Sequence, residues 1–478
     1  MVYDYFLQKI SLYLQREILS FSILRFVYQK SLKQTVKHFK FYFATMKRRD
    51  FLTKAGLATG GLLTAPYILP SGRLFAKTAS RKVNHVVYCL FAGGLRQLES
   101  VQKMEGNLMP NMLRGTEAIS SDLLGSMSAM LPPIGKSLDQ QGVLFKEFRF
   151  AKGPTGHFNA HSTAICGQYS DADVDIRRRN ATPTIFEYYN KHNSPSTTKL
   201  KSWWVSNSLG PYPNLNFSTH PEYGALYGGN YIQPYTIMEE AIYKAIGNPK
   251  KFSDDDKGRI ARLRAFCDNN FAGEYKGIPS GIVNTASDSI LVEQFLAKMY
   301  LEALDGKLNN PWGIPSYMNG DMHNVYFAER IMQEFQPELL VVNMSFIDVC
   351  HQNYSGYCNY LRFADYAVGH LWQTIQSTPG MANDTLLIIA PEHGRNLNPN
   401  TIADENGRLG IDHSNDEMSR RIFCMALGPT GVVKQNVVFN EERGESIDIV
   451  PTIAHALGFG DAIPKGMLQG RVLEEIFV

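Results

Sequence analysis

The chain has 478 residues, a formal net charge of +3, 19% charged residues and 12% aromatics. That length is more than one small core needs and predicts one large α/β domain with insertions, or one domain plus a cap. The composition excludes a disordered chain, and the charge balance excludes a nucleic-acid binder with a strong basic face.

Residues 1–45 are basic, with Lys9, Arg16, Arg25, Lys30, Lys33, Lys37 and Lys40 against Asp4 and Glu17, and show no clean helical stripe. They read as an extension upstream of a true initiator at Met46, with an amphipathic membrane-surface segment as the alternative. Lys47, Arg48, Arg49, Asp50, Phe51 and Leu52, followed by Lys54 and the weakly apolar AGLATGGLLTAPYILP, resemble a twin-arginine export signal over residues 46–79. The apolar run is too short and too rich in glycine and proline for a spanning helix. The resemblance implies the twin-arginine translocase as a partner, a periplasmic or secreted location, and no transmembrane span in the mature protein. The cleavage region LFAKTAS lacks a clean A-x-A.

The mature chain opens with KVNHVVYCLFAGG, which predicts a buried parallel strand over residues 86–91, closed by Gly93 and Gly94. After the MPNM turn at residues 109–112, GVLFKEFRFAKGPTGHFNAHSTAICG predicts a short strand, a glycine-proline turn and a helix ending at Gly167. His157 and His161 are spaced i and i+4, so both rings share one face of that helix and can bind one metal together. Capping or packing against neighbouring strands is the open alternative.

From residue 177 to 330 the pattern changes, and an insert or cap is expected between two parts of the α/β domain, residues 80–176 and 331–478. RRRN at residues 177–180 either draws an anionic substrate or forms a solvated turn. KSWWVSNSLGPYPNLNFS and PEYGALYGGNYIQPY are expected as loops, stacking on a sugar ring over a pocket or packing on the domain's own surface. Residues 236–304 read as helical, with a cap at Ser253. There is no Walker-type loop, G-x-G-x-x-G or internal repeat, so nucleotide binding of those kinds is unsupported.

A helix around residues 325–335 then feeds the strand ELLVVNMSF and restores the α/β alternation. The stretches VVNMSFIDVCH, TLLIIAPEHGRN and GIDHS place Asp348, His351, Glu392, His393, Asp412 and His413 at strand ends or in the loops that follow, where open α/β sheets bind ligands. Carboxylate oxygens and neutral imidazoles are the usual ligands of zinc, manganese and iron. Singly, Asp348 or Asp412 also reads as a helix cap and His351 as a core histidine. Three pairs at three consecutive loops read as a metal site. Cys350, between Asp348 and His351, is either a thiolate ligand or an inert buried thiol. With Cys89, Cys166, Cys267, Cys358 and Cys424 it makes six cysteines, which in so long a chain form no disulfide framework.

The order of strand, D-x-x-H, helix, strand, E-H-G-R and D-H-S, followed by RRIFCMALGP and SIDIVPTIAHALG, resembles the alkaline phosphatase and sulfatase superfamily. Within it, E-H-G-R-N through G-x-D-H is similar to the group called domain of unknown function 1501, and MPNM is similar to the superfamily's T-P-N-L turn. The resemblance covers residues 83–175 and 335–478. It implies a three-layer α/β sandwich with a central, largely parallel sheet and a helical and loop insert. It implies a divalent metal, zinc, manganese or calcium, in open number, and hydrolysis of a phosphate or sulfate ester, an anionic substrate that can be carbohydrate-linked. The superfamily's first strand usually ends in a metal-binding aspartate, whereas Ala92 and Gly93 stand here and the nearest carboxylate is Glu99. Its nucleophile lies about ten residues before a T-G or C-G helix end. Counting back from Gly167 gives His157, a poor stand-in for a hydroxyl, with Thr155 nearby as the alternative. Arg395 either steadies the transferred phosphoryl or sulfuryl oxygens or makes a structural salt bridge. Without a clear nucleophile, attack by metal-activated water is the expected chemistry. The rival expectation is a non-catalytic member that binds glycan or a partner protein in the cell envelope.

Overall fold

The computed structural model describes residues 81–128, 135–170, 179–193, 198–207, 214–245, 282, 284–414 and 416–478. The signal residues Arg48, Arg49, Phe51 and Leu52 and the cap at Ser253 lie outside the described residues.

Eight strands make one sheet: β1 (His85–Phe91), β2 (Gly142–Arg149), β3 (Ser202–Val205), β4 (Asn230–Ile232), β5 (Leu339–Met344), β6 (Thr385–Pro391), β7 (Arg421–Leu427) and β8 (Val437–Glu445). Their order is β4-β3-β5-β1-β6-β7-β2-β8. From β4 to β6 every pair is parallel. Strand β7 runs against β6 and β2, and β2 and β8 pair parallel again. Strands β5 and β6, read LLVVNM and TLLIIAP, are buried at every position, as strands covered on both faces must be. The edge strand β8 carries VVFNEERGE with three exposed charged or polar residues at its middle, which blunts pairing with another chain.

The longer helices among the described residues are α1 (His157–Cys166), α2 (Ile185–His192), α3 (Pro234–Ala245), α4 (Ala286–Leu304), α5 (Gly320–Phe335), α6 (Tyr354–Ser377) and α7 (Ile449–Ala456). Helix α7 packs on α1 and α2, whereas α3 packs on α4 and α5, and α5 on α6. These two groups sandwich the sheet in a three-layer α/β arrangement. Local chemistry sets the ends. Thr184 and Glu187 form a capping box at α2, and Gly167 closes α1 with φ +67°. Asp321 in the first turn of α5 accepts from Ser345 N at 2.7 Å and Phe346 N at 2.9 Å, fastening that helix to the end of β5.

The aromatic stretch expected as loops supplies two strands instead. Trp203 and Trp204 are 1% and 0% exposed, and β3 pairs with β5. Trp203 stacks on Phe335 with centroids 5.1 Å apart. Aromatic residues suit a short strand between two helical layers. Arg179 of the RRRN stretch packs its guanidinium 3.5 Å from the Phe217 ring centroid and donates to Asn214 O. Among the described residues no helix is long and apolar enough to cross a membrane.

Candidate metal centre

Strands β1, β5 and β6 end level, with Phe91 opposite both Met344 and Pro391. The residues that follow therefore emerge at one edge: Gly93 and Gly94 after β1, Asp348 and His351 in the 3-10 turn Phe346–His351, and Glu392 and His393 after β6. Strand β2 runs the same way and leads to α1, whose first residue is His157. The reversed strand β7 starts at this edge, so the loop before it delivers Asp412 and His413.

Because β1 lies between β5 and β6, the side chains of Asp348 and Glu392 reach across its end from either side, and bulk there would block them. A Cβ on Gly93, where φ is +110°, would lie 2.7 Å from Asp348 N and 2.9 Å from Asp348 Cβ. One on Gly94 would lie 2.5 Å from His393 Nδ1. The Gly93 N–H donates to Glu392 Oε1. The space a side chain on Gly93 would take is filled by Asp348.

Two groups of potential ligand atoms share His157. In one, His157, Asp348, His351 and His413 bring ligand atoms within 4.8 Å of one another, and in the other His157, Glu392 and His393 do. Asp348 Oδ1 is 3.2 Å from His157 Nε2, 3.2 Å from His351 Nε2 and 4.0 Å from His413 Nε2. Glu392 Oε1 is 2.7 Å from His157 Nδ1 and 3.3 Å from His393 Nε2. The outer rings are held from behind. His351 Nδ1 meets Asp412 Oδ1 at 2.6 Å, His413 Nδ1 meets Thr155 O at 2.6 Å, and His393 Nδ1 meets Gly394 O at 2.7 Å. Each Nδ1 is engaged by an oxygen behind the ring, which leaves Nε2 turned toward the cluster.

Charge follows the same pattern. Burial opposes ionisation of Asp348, but bonds from His157 and His351 and the Arg395 charge outweigh it and hold the carboxyl well below the usual range. Burial is likewise outweighed at Glu392, by His161, His393 and His157. Burial lowers His157 less than Glu392 and Asp348 raise it, so its pKa is lifted to about 10. His413 is pushed down to about 2 by burial and by the charges of His393, His157, Arg395 and His351. A neutral His413 is an acceptor at Nε2, and that atom is buried with no hydrogen-bond partner. Lone pairs gathered around carboxylate oxygens fit a cation.

The remaining expected residues stand around this cluster. Asp412 backs His351 and accepts from Asn400 Nδ2 at 3.1 Å. His161 lies behind Glu392, paired to its Oε2, with its Nε2 3.3 Å from Asn343 Oδ1. The Thr155 hydroxyl donates to His413 O at 3.1 Å. Arg395 is fully buried and donates to the carbonyls of Gly93, Gly94, Ile347 and Ile411 and to Asp348 at 2.9 Å, which joins three strand-end loops. Cys350 is buried outside both groups, its thiol pushed up to about 12 chiefly by burial. Sequence reasoning missed Asn343 and Asn400. Asn343 carried a signal, a lone amide inside the apolar run LLVVNM.

No family model and no curated protein matches this chain. Among solved structures, the chain is similar to a mutant of the alkaline phosphatase PafA, at 12% identity over 84% of this chain and 100% of that one, with a TM-score of 0.42. It is similar to the PsFucS1 sulfatase from Pseudoalteromonas sp., at 13% identity over 83% of this chain and 71% of that one, TM-score 0.40. It is also similar to a protein in the alkaline phosphatase superfamily from Vibrio parahaemolyticus, at 12% identity over 84% and 74%, TM-score 0.39.

Proposed function

We propose that this chain is an exported, metal-dependent hydrolase of phosphate or sulfate esters, of the alkaline phosphatase and sulfatase kind and nearest in its site motifs to the domain of unknown function 1501 group. The observation that carries the reading is His413 Nε2, a buried acceptor that faces Asp348 Oδ1 and has no hydrogen bond of its own. A divalent ion held by His157, Asp348, His351 and His413 would satisfy it, and His157, Glu392 and His393 offer a second set of ligand atoms beside it. So many imidazole nitrogens favour zinc over manganese, and both over calcium, which takes oxygen ligands.

When bound, the ion supplies a Lewis acid for the ester oxygen and lowers the pKa of water towards about 7. The chain's own part is to hold rings and exclude alternatives. Asp412, Thr155 O and Gly394 O fix which nitrogen of His351, His413 and His393 faces inward. The Thr155 hydroxyl is turned to the His413 carbonyl, and His157 stands between the two carboxylates, so attack on phosphorus or sulfur falls to water. Arg395 sets the loops. Trp203 and Trp204 belong to the core and are closed to a sugar ring, so recognition rests on the anionic ester group. Export and a periplasmic or secreted place rest on the twin-arginine pattern at Arg48 and Arg49.

Purified protein is assayed with phosphate and sulfate esters after zinc or manganese loading, beside His413→Ala. Turnover that drops at least about 100-fold in the variant supports the hydrolase. Tight metal binding with no turnover of either ester class moves the reading to a non-catalytic envelope protein.

A further inference from the structure

His157 is the one residue common to both ligand groups, and it enters them through different atoms. Nδ1 lies 2.7 Å from Glu392 Oε1 and 3.4 Å from His393 Nε2, while Nε2 lies 3.2 Å from Asp348 Oδ1. The other cluster histidines, His351, His393 and His413, each give Nδ1 to a supporting oxygen and keep one nitrogen for the centre. His157 keeps both. Its ring lies 5.2 Å from that of His393 and 4.5 Å from that of His413, so each edge of the imidazole faces a different partner set.

We propose that the His157 imidazole bridges two divalent cations, one on the Nδ1 side with Glu392 and His393, the other on the Nε2 side with Asp348, His351 and His413. The inference rests on the metal reading above and goes beyond it in number and connectivity. The three atoms His157 Nδ1, Glu392 Oε1 and His393 Nε2 form a triangle with sides of 2.7, 3.3 and 3.4 Å. Ligands about 2.0–2.2 Å from a tetrahedral zinc stand about 3.3–3.6 Å apart, so the two sides to His393 fit and the His157–Glu392 side opens when its proton leaves. Loading both sides sends both ring protons to solvent and leaves an imidazolate. Two dications against Asp348, Glu392 and that ring, with Arg395 alongside, leave the centre net positive, as an anionic substrate requires. The bridge also explains a histidine where a hydroxyl nucleophile is expected: the ring links the two halves of the centre.

The test is copper(II) loading of the full metal-free chain, read by elemental analysis and electron paramagnetic resonance. Wild type is expected to hold about two equivalents, with a signal suppressed by coupling through the ring. His157→Ala, checked for folding by circular dichroism, is expected to lose the coupling and retain at most one equivalent, and added imidazole to restore the coupling. His393→Ala, which strips only the Nδ1 side, is expected to keep one uncoupled ion. Two ions with an unchanged spectrum in His157→Ala, or two uncoupled ions in wild type, overturn the bridge and leave the metal reading standing. A single ion in wild type also overturns the bridge. No copper, zinc or manganese uptake by wild type overturns both.

Discussion

Asp412 decides which nitrogen of His351 looks inward. Its carboxylate is kept ionised by the bond from His351, and Asn400 holds it in place. Replacing Asp412 with Ala leaves His351 present but free to turn, and metal affinity is expected to fall about 10–100-fold, measured by competition with a chromophoric chelator. Gly93 makes the complementary case, because its φ of +110° and the 2.7 Å approach of Asp348 N admit no side chain. Gly93→Ala is expected to cost about 1–3 kcal/mol in denaturant unfolding and to lower bound metal in elemental analysis, since Asp348 must move. At this scale the sequence showed the paired carboxylates and imidazoles, because their types and spacing are visible one residue at a time. It did not show the division between inner residues and supports. Two of the supports are the carbonyls of Thr155 and Gly394, and every residue owns a carbonyl.

Helix α6 is tied to the turn at residues 109–112 by one buried carboxyl. Asp365 accepts from Asn111 N at 3.0 Å, Asn111 Nδ2 at 2.8 Å and Met112 N at 2.8 Å. Burial outweighs those bonds and lifts its pKa from 3.8 to about 7. The raised folded-state value means that the folded chain prefers the protonated carboxyl. Its stabilising contribution is complete below the unfolded pKa of about 3.9 and is lost as pH rises through about 7. Thermal melts of wild type and Asp365→Asn are therefore expected to show wild type losing ground between pH 5 and pH 8, and a constant difference would show a carboxyl ionised throughout. Strands β1, β5 and β6 and the end of α1 were readable because long apolar runs and a closing glycine carry them. Strands β3 and β4 were not, because SWWV and NYI are short and sit among turn residues, and only the pairing of β3 with β5 and of β4 with β3 makes them strands.

Over the whole molecule, the candidate ligands come from four segments between His157 and His413 that only the finished sheet brings together. An ion bound there favours the folded chain over the unfolded one, by about 4 kcal/mol when free metal is 1,000-fold above Kd. Removing metal with a chelator is expected to lower the melting temperature of wild type, and to lower that of His413→Ala by less, in parallel calorimetric scans. The α/β class was legible from the alternation of strand and helix and the three layers through the resemblance, but the place of residues 198–232 in the sheet was not, because it depends on pairing across more than a hundred residues. The direction of β7 has one more consequence. His413 reaches the shared edge only because the chain turns back there, and it is the last ligand to be made. As the protein leaves the ribosome, His157, Asp348, His351, Glu392 and His393 emerge before the segment that completes the centre. A growing chain can therefore offer only an incomplete centre, and closing the side that includes His413 belongs to the end of synthesis, when the sheet takes up its final strands.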